Sequence, residues 1–265
     1  MKPVKACCIC DVVREAETTA APGWWRLLRG CRVKRSLRML VIFTGLGLSL
    51  GCQHLLPAPR YEGCLDAVAG GREQAVVVSR EKGAGVHRVK VDLFEKGTSG
   101  WEPVNGRIDG VAGPHGLAPP GEKREGDGRT PSGVFALKRG FGYFPLETKL
   151  PYIVLTPDLI WVDDPRSPEY NRLVSLDRVH PASYETMRRK DDLYKYGAVI
   201  EYNTDPVVSG LGSAIFLHIW RDSDSPTAGC VAVSEENMLR ILRWLDPAKA
   251  PVAVLGAEEV CGRQR

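Results

Sequence analysis

The stretch FLHIWRDSDSPTAGCVAVS, residues 216–234, holds one imidazole and one thiol twelve positions apart, His218 and Cys230, with Gly229 directly before the sulfur. A thiol at its free pKa of about 8.5 is a poor nucleophile at neutral pH unless an imidazole takes its proton or stabilises the thiolate. His218 is the nearest partner. Of the five histidines (54, 87, 115, 180 and 218) none follows Cys230, which excludes a papain-like order with the cysteine first. Acyl transfer also needs backbone N–H groups aimed at the developing oxyanion. Gly229 lets the main chain approach a substrate where a Cβ would clash, so the amides of Gly229 and Cys230 are candidate donors. A plainer reading stands beside this one. A cysteine leading into a VAV strand can be a small buried hydrophobe, and a histidine among Phe216, Leu217, Ile219 and Trp220 a satisfied core residue.

The elements that must position the pair are mostly strands. Short apolar or alternating runs recur between Pro and Gly turn signals: 75–79, 87–94, 133–137, 152–156, 159–162, 198–202 and 213–220. This spacing predicts a mainly β fold (α+β minor), largely antiparallel, a β-sandwich or partial barrel with one or two helices. The stronger helix follows the cysteine. Ser234 is its N-cap, Glu235 and Glu236 suit the positive end of the helix dipole, and Met238, Ile241, Leu242 and Leu245 form one apolar face before Pro247. A second helix is expected over 183–190 and a closing strand over 251–255. Around the pair the order is strand (213–220), acidic loop (221–226), turn (227–229) and strand (230–233). That order suggests a hairpin-like approach of two strand ends.

The compartment follows from the N-terminus. Residues 39–51, MLVIFTGLGLSLG, are apolar or small and follow the basic run Arg29, Arg32, Lys34, Arg35 and Arg38. A spanning helix needs about 20 apolar residues, so this shorter segment fits a secretory signal and the protein is expected to be exported to the periplasm or cell envelope. LSLGC at 48–52 resembles a bacterial lipoprotein cleavage box, which makes Cys52 a lipidation candidate; simple cleavage and an uncleaved anchor are the alternatives. The expected organisation is an N-terminal extension and signal over 1–51, a linker over 52–74 and one catalytic domain over 75–258. With Cys52 lipidated, Cys64 and Cys261 near the two ends are free to pair and Cys230 is the free thiol. The net charge of +4 belongs to the export segment, since the remainder carries an acidic excess. Without a basic stripe, no nucleic-acid partner is expected. No CxxC pair or His/Cys cluster at metal-ligand spacing follows Cys52, so neither a metal nor a cofactor is expected.

Several separated segments, in order, resemble the L,D-transpeptidase catalytic domain (the YkuD-like domain) of bacterial cell envelopes. HIW with PTAGCVAVS is similar to the family's signature, in which an upstream histidine precedes a Gly-Cys turn. GEKREGDGRTPSGVFAL (121–137) is similar to its K-x-x-G-D-x-x-T-P-x-G-x-F segment. WVDDPRSPEYN (161–171) and IEYN (200–203) resemble one branch. The resemblance implies that Cys230 is the acylated nucleophile, His218 its base and Gly229 part of the oxyanion turn. It also implies a main-chain carbonyl as the group orienting the histidine, and peptidoglycan stem peptides as the partner. Tyr202, Trp220, Arg221 and Thr227 are the candidate substrate-binding residues, with Trp161 and Arg129 as further candidates. Three departures are visible. Ala228 stands where many members have a second histidine, Ala232 where many have Arg or Asn, and the His-to-Cys spacing is short. The implied activity is crosslinking or protein attachment through a thioester. A hydrolase using the same site and a non-catalytic wall-binding lipoprotein are the alternatives.

Overall fold

The chain falls into two units, Met1–Cys52 and Gln53–Arg265. The computed structural model describes residues 61–104 and 106–262, all within the second. In chain order the elements are α1 (Glu62–Val68), β1 (Gln74–Arg80), β2 (Arg88–Gly97), β3 (Gly100–Pro103), β4 (Ile108–Val111), β5 (Gly133–Gly142), β6 (Tyr152–Val154), β7 (Leu159–Val162), β8 (Leu173–Ser175), β9 (Tyr184–Thr186), β10 (Tyr196–Ile200), β11 (Phe216–Ile219), β12 (Val231–Val233), α2 (Glu235–Trp244), β13 (Val252–Leu255) and α3 (Ala257–Gly262). Among the described residues no helix is long and apolar enough to cross a membrane.

The fold is mainly β, and its main sheet closes on itself. Eight strands run in the order β1, β13, β5, β10, β11, β12, β4, β2, and β2 returns to pair with β1. Alternation along each strand gives every one an inner face. Val76 and Val78, Val89 and Val91, Ile108, Leu137, Ala198 and Ile200, Leu217 and Ile219, Val231 and Val233, and Ala253 and Leu255 meet in one buried cluster. An eight-stranded barrel is just wide enough for side chains to fill. Helix α2 lays Met238, Ile241, Leu242 and Leu245 on the same cluster, all fully buried. Ser234 caps it, its Oγ accepting from the Asn237 amide at 3.3 Å. A cap of this kind contributes about 1 kcal/mol.

Two layers cover the outer wall. On one side Tyr61, Leu65 and Ala257, from α1 and α3 and their flank, pack on Ala75, Val77, Val252 and Val254, the residues of β1 and β13 that face away from the interior. A disulfide between Cys64 and Cys261 joins these two helices, with Cα atoms 5.5 Å apart. Part of the expected linker is therefore helical. Its sequence EGCLDAV buries only Leu65 and carries no repeating apolar face. On the other side a small sheet, ordered β8, β7, β9, packs Trp161 and the adjoining Met187 against Phe141, Val199, Phe216 and Cys230.

Two expectations fail here. The segment 183–190 is not a helix, because Tyr184–Thr186 pairs antiparallel with β7. Exposure alternates along it, with Tyr184 and Thr186 outward and Met187 fully covered, which is the period of a strand. The second concerns the neighbourhood of the thiol. β11 and β12 are not a hairpin; they run parallel, with Leu217 beside Val231 and His218 beside Ala232. Both strands are buried throughout and no tight-turn pair separates them, so the chain crosses back through the acidic loop before re-entering the sheet.

Candidate active site

Register decides where the pair points. Leu217, Ile219, Val231 and Val233 face the barrel interior, so Phe216, His218 and Cys230 project from the opposite face. That face looks onto a cleft of about 330 Å³ beside the small sheet, lined by both His218 and Cys230.

The sulfur is almost fully covered, at 5% exposure. Its hydrogen goes to the Ala214 carbonyl (3.2 Å), and the Phe216 amide donates to Sγ at 3.3 Å. Burial pushes the thiol up to about 12, and the Glu185 carboxylate adds to the effect. His218 is equally covered. Its Nδ1 lies 2.7 Å from the Ile219 carbonyl oxygen. A carbonyl only accepts, so Nδ1 carries the hydrogen and Nε2 keeps its lone pair. Burial pushes the ring down to about 4, with the Ile219 and Leu193 carbonyls opposing it in part. The pair therefore rests uncharged, so a transfer of the thiol proton to the imidazole belongs to the attack itself and not to the resting state.

Backbone clamps hold the turn. Thr227 Oγ1 accepts from the Gly229 amide (3.1 Å) and donates to the Cys230 carbonyl (2.7 Å). Fully buried Thr130 donates to the same carbonyl (3.1 Å) and accepts from the Gly113 amide (3.0 Å). Without that hydroxyl a buried N–H would lose its partner, at a cost of about 1–3 kcal/mol. A Cβ on Gly229 would lie 3.0 Å from the Arg129 carbonyl, so glycine lets the two motif segments meet. Asp127 secures the other segment, accepting from the Arg124 and Arg129 amides (2.8 and 2.9 Å) and pairing with Lys123 (2.8 Å).

The carbonyl facing the sulfur is fixed from further away. Ala214 has φ of 53°, a left-handed conformation that an alanine adopts only when its surroundings hold it there. Buried Asn171 does so: its Oδ1 accepts from the Ala214 amide (3.1 Å) and from Trp161 Nε1 (2.8 Å), and its Nδ2 donates to the Tyr202 and Asn203 carbonyls.

Among the sequence-based candidates, Arg221, Thr227 and Gly229 line the cleft with the pair. Tyr202 and Trp220 do not. Tyr202 sets its ring edge-on to Phe135 and donates its hydroxyl to the Leu211 carbonyl, bracing the loop that leads to Ala214. Trp220 lies past the end of β11, its amide bound to the Val233 carbonyl. Trp161 is a core residue packed on Phe216, and Arg129 stands outside the lining. The lining also holds residues that sequence reasoning missed: Lys123, Glu125 and Ser213, and across the cleft Asp163, Glu185, Arg189 and Tyr194. Tyr194 meets the His218 ring edge-on at 5.1 Å. Lys123 and Glu125 sit within a recognised motif and could have been found. Glu185 and Arg189 lie on the segment misread as a helix and carried no signal. Among the described residues no group of three His, Cys, Asp or Glu side chains could hold a metal ion.

The family model described as the L,D-transpeptidase catalytic domain matches residues 86–254, more than half of the chain and all of the site described above. The chain belongs to this family. No curated protein and no solved structure matches it. Membership makes the fold an enzymatic one, of the transferase type that works on peptidoglycan.

Proposed function

We propose that this chain is an exported peptidoglycan L,D-transpeptidase that works through a thioester on Cys230. The observation that carries the reading is the Ile219 carbonyl on His218 Nδ1, which leaves Nε2 with its lone pair in the cleft that Cys230 also lines. His218 takes the thiol proton as Sγ attacks the peptide bond preceding the terminal D-alanine of a stem tetrapeptide. The Gly229 amide is engaged by Thr227, so the N–H on this turn available to the oxyanion is that of Cys230. D-Alanine leaves with the proton from His218, and an amine or water resolves the thioester. Arg221, exposed at the cleft, suits a peptide carboxylate, while Thr227 acts by shaping the turn. Incubation with a carbapenem, which acylates such cysteines, is expected to raise the intact mass by one drug molecule. An unchanged mass, with Cys230 shown to be reduced, overturns the assignment.

Export is supported by the Cys64–Cys261 disulfide, since such bonds persist chiefly outside reducing compartments. Cys52 lies outside the described residues, and its lipidation is part of the proposal. Substituting Cys52→Ser is expected to release the protein from the membrane fraction; unaltered partitioning removes the lipid from the scheme. The catalytic domain is taken to span 75–258, with α1 clamped to its end.

A further inference from the structure

Two carboxylates of the lining, Glu185 on β9 and Asp163 just past the end of β7, take no part in the thioester step proposed above. Glu185 pairs in register with Trp161, and Asp163 lies two residues beyond Trp161, so both acids share the face that packs toward the cleft. Two cations of the lining, Lys123 and Arg189, are occupied. Lys123 is bound by Asp127, and Arg189 is held by both oxygens of Asp191 at 2.7 and 2.8 Å, with Arg221 also approaching Asp191. Glu185 is left with Arg189 at 3.7 Å and the Tyr194 hydroxyl at 2.5 Å. Asp163 Oδ1 is buried and has no hydrogen-bond partner among the described residues. Glu125, the remaining acid of the lining, is taken by the hydroxyls of Tyr170 and Ser213.

We propose that Glu185, with the unpartnered Oδ1 of Asp163 behind it, receives the ammonium group of the acyl acceptor and takes its first proton. This rests on the thioester reading above. A primary amine reaches the cleft protonated and cannot attack in that form. Glu185 accepts one proton from it, the freed nitrogen bonds to the thioester carbon, and the C–S bond breaks. His218 takes the second proton and returns it to the departing sulfur. The third hydrogen stays on the new amide, and Glu185 gives its proton to solvent. Burial pushes the Glu185 carboxyl up, its first cause, with Asp163 and Asp191 adding to this, which makes the group a better proton acceptor than an exposed glutamate. Water needs no such partner, so Glu185 biases the shared thioester toward aminolysis.

The test is partitioning of the thioester formed from a tetrapeptide donor, measured as the ratio of amide to hydrolysed product against amine concentration. The ratio does not depend on how fast the thioester forms. In Glu185→Gln the slope for a cationic diamino-acid acceptor is expected to fall at least tenfold, and Glu185→Asp to recover part of it. The slope for hydroxylamine, largely uncharged at neutral pH, is expected to stay within twofold. Equal slopes in wild type and Glu185→Gln overturn the inference, and so does an equal fall for both nucleophiles, which would mark a merely structural role beside Tyr194. Absence of any thioester in the wild type is a different result and overturns the parent reading.

Discussion

Replacing His218 with glutamine is expected to slow carbapenem acylation of Cys230 by about 10²–10⁴-fold, the range typical of a lost general base. The reason lies in the resting charges. A thiol pushed up to about 12 holds almost no thiolate at neutral pH, so attack depends on a base acting in the same step. The imidazole, held down to about 4, is neutral and available across the physiological range. Wild-type acylation should therefore rise with pH through about 4 and then stay level past neutrality. A standing thiolate and imidazolium pair would instead lose activity as the ring deprotonates, so a decline in rate between about pH 7 and 10 contradicts the neutral pair. Stability should track the same groups. The His218 ring titrates near 6.5 when unfolded, so between about 6.5 and about 4 only the unfolded chain gains the proton, and stability falls as pH falls. The thiol works in the opposite sense. Its ionisation in the unfolded chain begins near 9, below its folded value of about 12, so stability falls as pH rises through that window.

Breaking the bridge between Cys64 and Cys261 is expected to cost about 2–5 kcal/mol. The closed loop holds nearly all of the described chain, with a sequence separation of 197, so the unfolded state gains much freedom when it opens. Helix α1 depends on the bond for a further reason. It has seven residues, buries only Leu65 and carries no side-chain cap, so its own contacts hold it weakly. A Cys64→Ser, Cys261→Ser double variant should melt on the order of 10 °C lower by calorimetry, at about 2–4 °C per kcal/mol for a domain of this size. An unchanged melting temperature would show that α1 and α3 fray independently of the barrel.

The barrel was readable because its strands alternate and its interior is filled by branched aliphatic residues at every second position, a pattern carried by local sequence. α2 was readable for the same reason, through one apolar face and Ser234. The placing of His218 and Cys230 on one cleft was legible through the motif around them, and Thr130 and Asn171, which sit in or at the end of recognised segments, show why those segments accompany the cysteine. What stayed hidden depends on pairing across long separations. The direction of β12 is set by its partners β11 and β4, and three residues give no directional cue. The strand Tyr184–Thr186 is defined by β7, and without that neighbour ETMRRK looks helical. Tyr202 and Trp220 were placed at the substrate because aromatic residues near a site invite it, yet braced loops and strand ends use the same side chains.

The parallel run of β11 and β12 separates two distances that are easily confused. The spacing between imidazole and sulfur is fixed by strand registration inside a closed cylinder, and the intervening acidic segment only has to span the gap. Its hydrogen bonds are largely its own: Asp222 receives the amides of Asp224 and Ser225, and Arg88 ties it to the rim. Length along the chain is thus uncoupled from length across the site, and the connector can shrink or grow without displacing either reactive group.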